Sequence, residues 1–559
     1  MRLASILLLV LLPSSGESAS AALDTETLIR LYQSDHASLR RFYDLPLDPE
    51  ARGRLRSFNE EWRERLGSID RDSLDLARRI DMLLLESHVT HEIALLARQA
   101  EDAEAILPLL PYAEEILDLE RDRRSGHAQD AQSAAEILDT IRAAAGDALE
   151  EIEGAEEKPQ PHIALRAGRV AGRLSAALAA WHAHHADFVP GFSWWTQAPY
   201  DAAKEAVDAH AKHLREEVAG IKGEDDDPLV GHPIGKEALE EALAHEMIPY
   251  SAEEILALGE RELAWGEERM AEAAFALGFG EDWTAALEHV KGLIVPPGEQ
   301  GNLVSSQARE AIAFLDERHL VTIPPLARET WRLEMIGSRA QRNFPFAYYG
   351  GQSMGVAYAT SDMDHETKRQ SMRGNNRHFT RNVTPHELIP GHHLQRFVAA
   401  RSNTHRSLFG TPFLTEGWAL YWELRFWDLG WARGPEDEIG MLFWRNHRAA
   451  RIIVSLKYHL GETSPEEMVD FLVDRVGHER ENATAEVRRY ISGGYGPLYQ
   501  AGYLVGGLQL ASLHHDLVTK GDWSESAFHD TVLAQGTIPV AMVRASLTGA
   551  LDPWLFDGG

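Results

Sequence analysis

The stretch HELIPGHHLQ, His386 to Gln395, decides how the rest of the chain is read. In the H-E-x-x-H template two histidines four residues apart share one helix face and hold a metal, with a glutamate beside them. Here His386 and Glu387 open the pattern, but the fourth position onward is Pro390. On an undistorted helix His393 returns to the face of His386 about 10 Å further along the axis, and His392 points away. Proline removes a backbone donor and crowds the preceding turn, and glycine accepts unusual dihedrals, so Pro390 and Gly391 are expected to form a two-residue bulge within the helix. Skipping them restores the template, with His392 as the second ligand.

Catalytic zinc commonly takes three protein ligands and leaves a position for water. The sequence FLTEGWALYWELRFW offers Glu416, 24 residues beyond His392, as the third. In gluzincin-type zinc peptidases the third ligand is a glutamate on a following helix, and a lone carboxylate in so apolar a segment is costly. Taken alone, Glu416 reads equally well as a cap or ion-pair partner of its own helix. Beside the histidines it reads as a ligand. Glu423, seven residues on, shares its face and is placed to hold a ligating histidine from behind. His393 is then expected to stand behind the ligands or in the cleft wall.

Outward from this segment the periodicity is helical. The windows Leu76–Leu107, Ala131–Gly154 and Ser251–Gly278 repeat Leu, Ile and Ala every three or four residues. Ser251 with Glu254 forms a capping box, and Gly278 stands where a helix ends. Clusters of Pro, Gly and acids at 156–162, 223–235 and 295–302 break the pattern. The aromatic, glycine-paired segment from Phe344 to Asp362 is the best strand region, expected as a short sheet edge beside the motif helix. The fold class is mainly α. A single domain over 22–559 is expected, divisible into a helical lobe of about 22–300 and a metal-site lobe of about 301–559.

The 55 Lys and Arg stand against 87 Asp and Glu, a formal charge of -32. That charge repels nucleic acid and anionic lipid surfaces, so no nucleic acid partner is expected. Residues 1–21 carry Arg2, an apolar run from Leu3 to Leu12 and the small-x-small pattern Ala19, Ser20, Ala21, the order of a secretory signal peptide cleaved before Ala22. The run is too short for a membrane anchor. There is no cysteine, which removes disulfides, thiolate ligands and lipid acylation. A periplasmic or secreted location follows. Other histidines, His182, His184, His185, His210, His213, His514 and His515, lack an adjacent general base and read as solvated helical faces.

HELIPGHHLQ, TEGWALYWE and the later PLYQAGYLVG, Pro497 to Gly506, together resemble the bacterial family called domain of unknown function 885. Its members carry H-E-x-x-P-G-H, E-G-W-A-x-Y, and a late proline followed six residues on by tyrosine and then glycine. The matching motifs fall in the last third, and the family's usual length implies nearly the whole mature chain. The family is similar to gluzincin metallopeptidases, with a largely helical fold. The resemblance implies His386, His392 and Glu416 as zinc ligands and Glu387 as base. Tyr499 departs from it, since glutamine is expected there. Tyr503 is a candidate oxyanion donor, and equally a buried aromatic on a core helix. Arg377, His378 and Arg381 are candidates for a substrate carboxylate or the oxyanion, and equally ordinary surface charges. The expected function is an exported zinc metallopeptidase acting on short peptides through metal-activated water. The alternatives are a zinc hydrolase of non-peptide amides or esters, and a metal-site binding protein without turnover.

Overall fold

The helices begin and end where their capping chemistry dictates. In the computed structural model, which describes residues 24–224, 227–341 and 344–552, the Ala131–Gly154 helix starts after Asp130, whose carboxylate accepts from the Ser133 amide. Helix α1, Ala252–Ala276, starts on the reciprocal Ser251–Glu254 box, and beyond its end Gly278 takes a φ of +87°, a conformation that favours glycine. The breaks at 156–162 and 295–302 fall between helices, with Pro161 opening one helix and Gln300 the next. Of the described residues 72% are helical, which establishes the mainly α class. The leader at 1–21 lies outside the described residues. Among the described residues no helix is long and apolar enough to cross a membrane.

Beyond α1 the site-forming elements follow in order: α2 (Gln300–Glu317), β1 (Arg332–Ile336), β2 (Ala347–Tyr349), β3 (Ser353–Ala357), α3 (Arg377–Glu387), α4 (His392–Ala399), α5 (Pro412–Asp428), α6 (Pro435–His459), α7 (Arg480–Ile491) and α8 (Tyr499–His514). The three strands order as β1-β3-β2, with β1 parallel to β3 and β2 antiparallel to it. β2 and β3 lie in the expected aromatic segment. β1, upstream of it, was not anticipated, because Arg332 to Ile336 alternates over only four residues, and its burial is irregular along the strand.

The apolar core falls into clusters that interleave the chain. Leu28, Trp62 and Leu85 pack in one cluster with Leu394, Trp418 and Val543. Ile106 to Ala219 form another among themselves. Met270 and Val304 join Phe379, Phe443 and Tyr490 around the sheet. Helices α5 and α8 approach through glycine: a Cβ on Gly506 would stand 1.8 Å from the Phe413 carbonyl oxygen, and one on Gly417 would stand 2.8 Å from the Gly506 Cα. The side-chain-free contact lets the backbones meet and fixes α5 against the end of the chain.

Several of the additional histidines are not on solvated faces. His182, His185 and His210 are 5%, 4% and 0% exposed. His182 stacks on Tyr200 at 3.8 Å, and His210 shares a 3.0 Å hydrogen bond with Tyr112. Burial lowers His210 to about 4, so it sits in the core as a neutral ring. His514 is also buried, 3.0 Å from Glu525. Spacing alone could not separate these faces from wet ones.

Candidate metal centre

Asn376 caps α3 by accepting from the amides of His378 and Phe379, and α3 runs to Glu387 with Pro385 inside its last turn. The expected bulge is a full break. Leu388 leaves helical geometry at φ -103°, ψ -102°, the Ile389–Pro390 bond is cis, and a new helix begins at His392. The detour is bridged by hydrogen bonds from the Gly391 amide to the Pro385 carbonyl and from the Leu394 amide to the Leu388 carbonyl. A Cβ on Gly391 would lie 1.7 Å from the His386 carbonyl oxygen, so this crossing requires glycine. Trp418 of α5 donates to the Pro390 carbonyl at 2.8 Å and ties the loop to the next helix.

The break brings His392 beside His386 and Glu416. His386, His392 and Glu416 each offer a donor atom, and these atoms lie within 4.8 Å of one another. His392 Nε2 is 3.2 Å and His386 Nε2 3.8 Å from Glu416 Oε2. All three side chains are buried. His386 Nδ1 is 2.6 Å from Glu423 Oε1, a carboxylate placed behind the ring on the side away from Glu416. Glu423 also accepts from Asn382 and Arg448; burial alone would raise it, but Arg448 and then His386 outweigh that and bring it to about 2. Burial would likewise raise Glu416, yet His392 and His386 hold it well below the usual carboxylate range. His386 itself, despite burial, is raised to about 9 by Glu416 and Glu423. A cation is what this donor set attracts.

His393 takes no part. Its Nε2 lies 2.8 Å from the Ala327 carbonyl, which can only accept, and its Nδ1 lies 2.9 Å from the Tyr349 hydroxyl, which itself donates to the Gly351 carbonyl at 2.7 Å. Glu387 lines the same cavity as the donor set, a space of about 340 Å³. The opposite walls come from β2, α6, α7 and α8. Tyr499 donates to Glu416 Oε1, and the Tyr503 ring stacks on His386 at 6.2 Å. This geometry matches one pattern of sequence, and the profile of the family described as bacterial protein of unknown function, DUF885, covers residues 35–547.

The chain belongs to the DUF885 family. No curated protein matches it. The DUF885 chain is similar in fold to a candidate lipoprotein of unknown function from Shewanella oneidensis, at 18% identity and a TM-score of 0.70 over 94% of this chain and 100% of that one. It is also similar to a candidate lipoprotein from Colwellia psychrerythraea, at 16% identity and a TM-score of 0.59 over 95% of this chain and 99% of the other.

Of three residues of the DUF885 chain considered for substrate binding, two are engaged elsewhere and the third is exposed. Arg381 makes a bidentate pair with Glu310, both contacts at 2.8 Å, donates to the Trp431 carbonyl and lies over the Trp431 ring at 3.8 Å. His378 is 2.6 Å from Asp437, and Arg377 is exposed. His378 and Arg381 precede the motif on α3 but fall on the side packed against α2 and α6, and none of the three lines the cavity. Of the cations that do line it, Arg396 follows the motif directly, whereas Arg448, Arg451 and Arg489 sit more than fifty residues downstream. In sequence they are indistinguishable from any amphipathic helix's charges. Tyr499 was noticed only as a departure from the family, and its bond to Glu416 gives that departure a place.

Proposed function

We propose that this protein is an exported zinc-dependent peptidase of short peptides, a helical relative of the gluzincin metallopeptidases. The observation that carries the reading is one cavity lined by two imidazoles, a carboxylate held for ligation and a second carboxylate, Glu387. The donor set suits zinc, which takes His₂Glu in catalytic sites. Glu416 Oε2 supports the fit, because it is buried without a hydrogen-bond partner between the two Nε2 atoms, a costly arrangement unless a cation fills it. Zinc bound there would supply a Lewis acid that polarises the amide carbonyl and makes a water acidic at neutral pH.

The chain's own groups carry the remaining steps. Glu387 takes a proton from the attacking water as the new carbon–oxygen bond forms, then gives it to the amine nitrogen as the carbon–nitrogen bond breaks. Tyr503, pushed up to about 12 by burial, keeps its proton at neutral pH and donates to the carbonyl oxygen as it gains charge. Glu423 holds the His386 ring in orientation. The cavity is of small-ligand size and favours short peptides over folded proteins. The order of residues 1–21, together with the lipoprotein description of the two similar structures, supports export. The chain itself has no cysteine for acylation.

The test is incubation of the zinc-loaded protein with a mixed library of short peptides, with and without chelator, new termini being read by mass spectrometry. Cleavage that stops with chelator and returns with zinc is expected. Zinc-loaded protein that leaves every peptide intact would overturn the reading.

A further inference from the structure

The cavity wall facing Tyr503 is built from cations. Arg448 and Arg451 of α6 are 5% and 3% exposed, and with Arg489 of α7 they line the same space as Glu387 and the histidines. Burying a guanidinium is costly unless its charge and its donors are met. These three share two carboxylates. Arg451 and Arg489 both donate to Glu486 Oε2, at 2.8 and 2.9 Å, and Arg448 donates to Glu423, which also faces His386. Arg451 has a further bond to the Tyr490 hydroxyl. Even so, Nε of Arg448, Nη1 of Arg451 and Nε of Arg489 are buried without a hydrogen-bond partner. His447 Nε2, 3.7 Å from Glu486, is another. The cluster is short of an anion.

Its position states which one. The Tyr503 ring separates the two halves of the cavity: His386 stacks on it at 6.2 Å, while the guanidinium carbons of Arg451 and Arg448 lie 4.4 and 4.8 Å from its centre. An extended peptide advances about 3.3–3.6 Å per residue, and the two contacts on the Tyr503 ring together span at most about 11 Å, so a group held by the arginines lies within about three residues of a bond presented at the metal centre. We propose that Arg448, Arg451 and Arg489 bind the C-terminal carboxylate of the substrate, which makes the site an exopeptidase working from the free C-terminus. The interior of a peptide brings no charge to this wall, whereas a terminal carboxylate brings a planar anion that matches the guanidinium fork. This inference rests on the hydrolytic reading above and adds to it the polarity and the end at which the peptide is held.

The experiment uses pools of N-acetylated tetrapeptides in three forms: free C-terminus, C-terminal amide, and C-terminal amide with an internal glutamate. Each is offered to zinc-loaded wild-type protein for cleavage and to zinc-loaded Glu387→Gln protein for affinity selection, both read by mass spectrometry. The free-acid pool is expected to be retained and cut at least ~10-fold in preference to both amides. In Arg451→Gln, and in Arg448→Gln combined with Arg489→Gln, that ratio falls toward one; Arg451→Lys keeps part of it. Equal retention and cutting of free acid and amide overturns the C-terminal site and leaves the hydrolase standing, as does an internal glutamate that substitutes for the free terminus. Selective retention of the free acid without any cutting upholds the carboxylate site and removes the hydrolase. Retention of no pool removes the carboxylate site directly, without recourse to any arginine variant.

Discussion

Tyr349 and His393 share a 2.9 Å hydrogen bond between the edge strand β2 and the first turn of α4, and this bond turns the second histidine of the HH pair away from the metal centre. With its other nitrogen on the Ala327 carbonyl, His393 has both ring nitrogens turned to neighbours outside the donor set. His386→Ala, His392→Ala and Glu416→Ala are each expected to lower zinc content sharply, while His393→Ala leaves it nearly intact, with activity down by about 10- to 100-fold through the lost support. Metal analysis of the four purified proteins checks this. A zinc-depleted His393→Ala beside a zinc-replete His392→Ala would refute the arrangement.

Glu387 lines the cavity but is not a member of the donor set. Glu387→Gln is therefore expected to bind zinc as wild type does and to lose about 100-fold or more in turnover, the scale of a missing general base. Zinc content and single-turnover rates on one preparation separate the two roles. Loss of metal and activity in parallel would make Glu387 a ligand.

Gly391→Ala probes the crossing between α3 and α4. Its Cβ would meet the His386 carbonyl oxygen at 1.7 Å and the Pro385 carbonyl oxygen at 2.7 Å, and both belong to backbone that cannot swing aside. A destabilisation of about 1–3 kcal/mol or more is expected, as for an overpacked core, together with a zinc content below wild type because the strain falls on a ligand's own peptide. Urea unfolding with metal analysis is the measurement. A variant with wild-type midpoint and wild-type zinc would mean that the detour runs elsewhere.

Glu486 gives the arginine wall a pH signature. Burial alone would raise its carboxyl, but Arg489 and Arg451 outweigh burial and bring it to about 2, from a reference of 4.5. A depressed folded value contributes stability that is present above the unfolded value and lost as pH falls through the folded one. Glu486→Gln is expected to cost about 3 kcal/mol at pH 7, as for a broken buried pair, with the gap to wild type closing between pH 4.5 and 2. Urea midpoints across that range decide it; a gap that stays constant would place the ionisation elsewhere.

The grouping of the candidate donors was legible from residue order because they are local. His386, His392 and Glu416 lie in one continuous segment, and the chemistry of Pro390 and Gly391 announces a disruption even though it does not say whether the helix bulges or breaks. The helix windows were legible for a similar reason: Asp130, Ser251 and Gly278 act on their immediate neighbours. What was not legible depends on packing between distant segments. Arg381 reads as a free cation until Glu310, 71 residues earlier, meets it. His182 and His210 read as wet until Tyr200 and Tyr112 cover them. Arg448, Arg451 and Arg489 gain meaning only when α6 and α7 close on the same cavity.

The glycine contact between α5 and α8 sets the order in which the centre can be completed. Tyr499, which bonds Glu416, lies 83 residues beyond it, and the helix that carries Tyr499 is held to α5 through Gly417 and Gly506. A chain emerging from its N-terminus therefore exposes both histidines and the ligating glutamate well before the helix that covers them. Any ion captured during that interval would be gripped by an open, water-filled half-site. If the site holds a metal as proposed, tight retention would begin only once the helix carrying Tyr499 has docked on α5, and a held ion would then report that this late segment is folded.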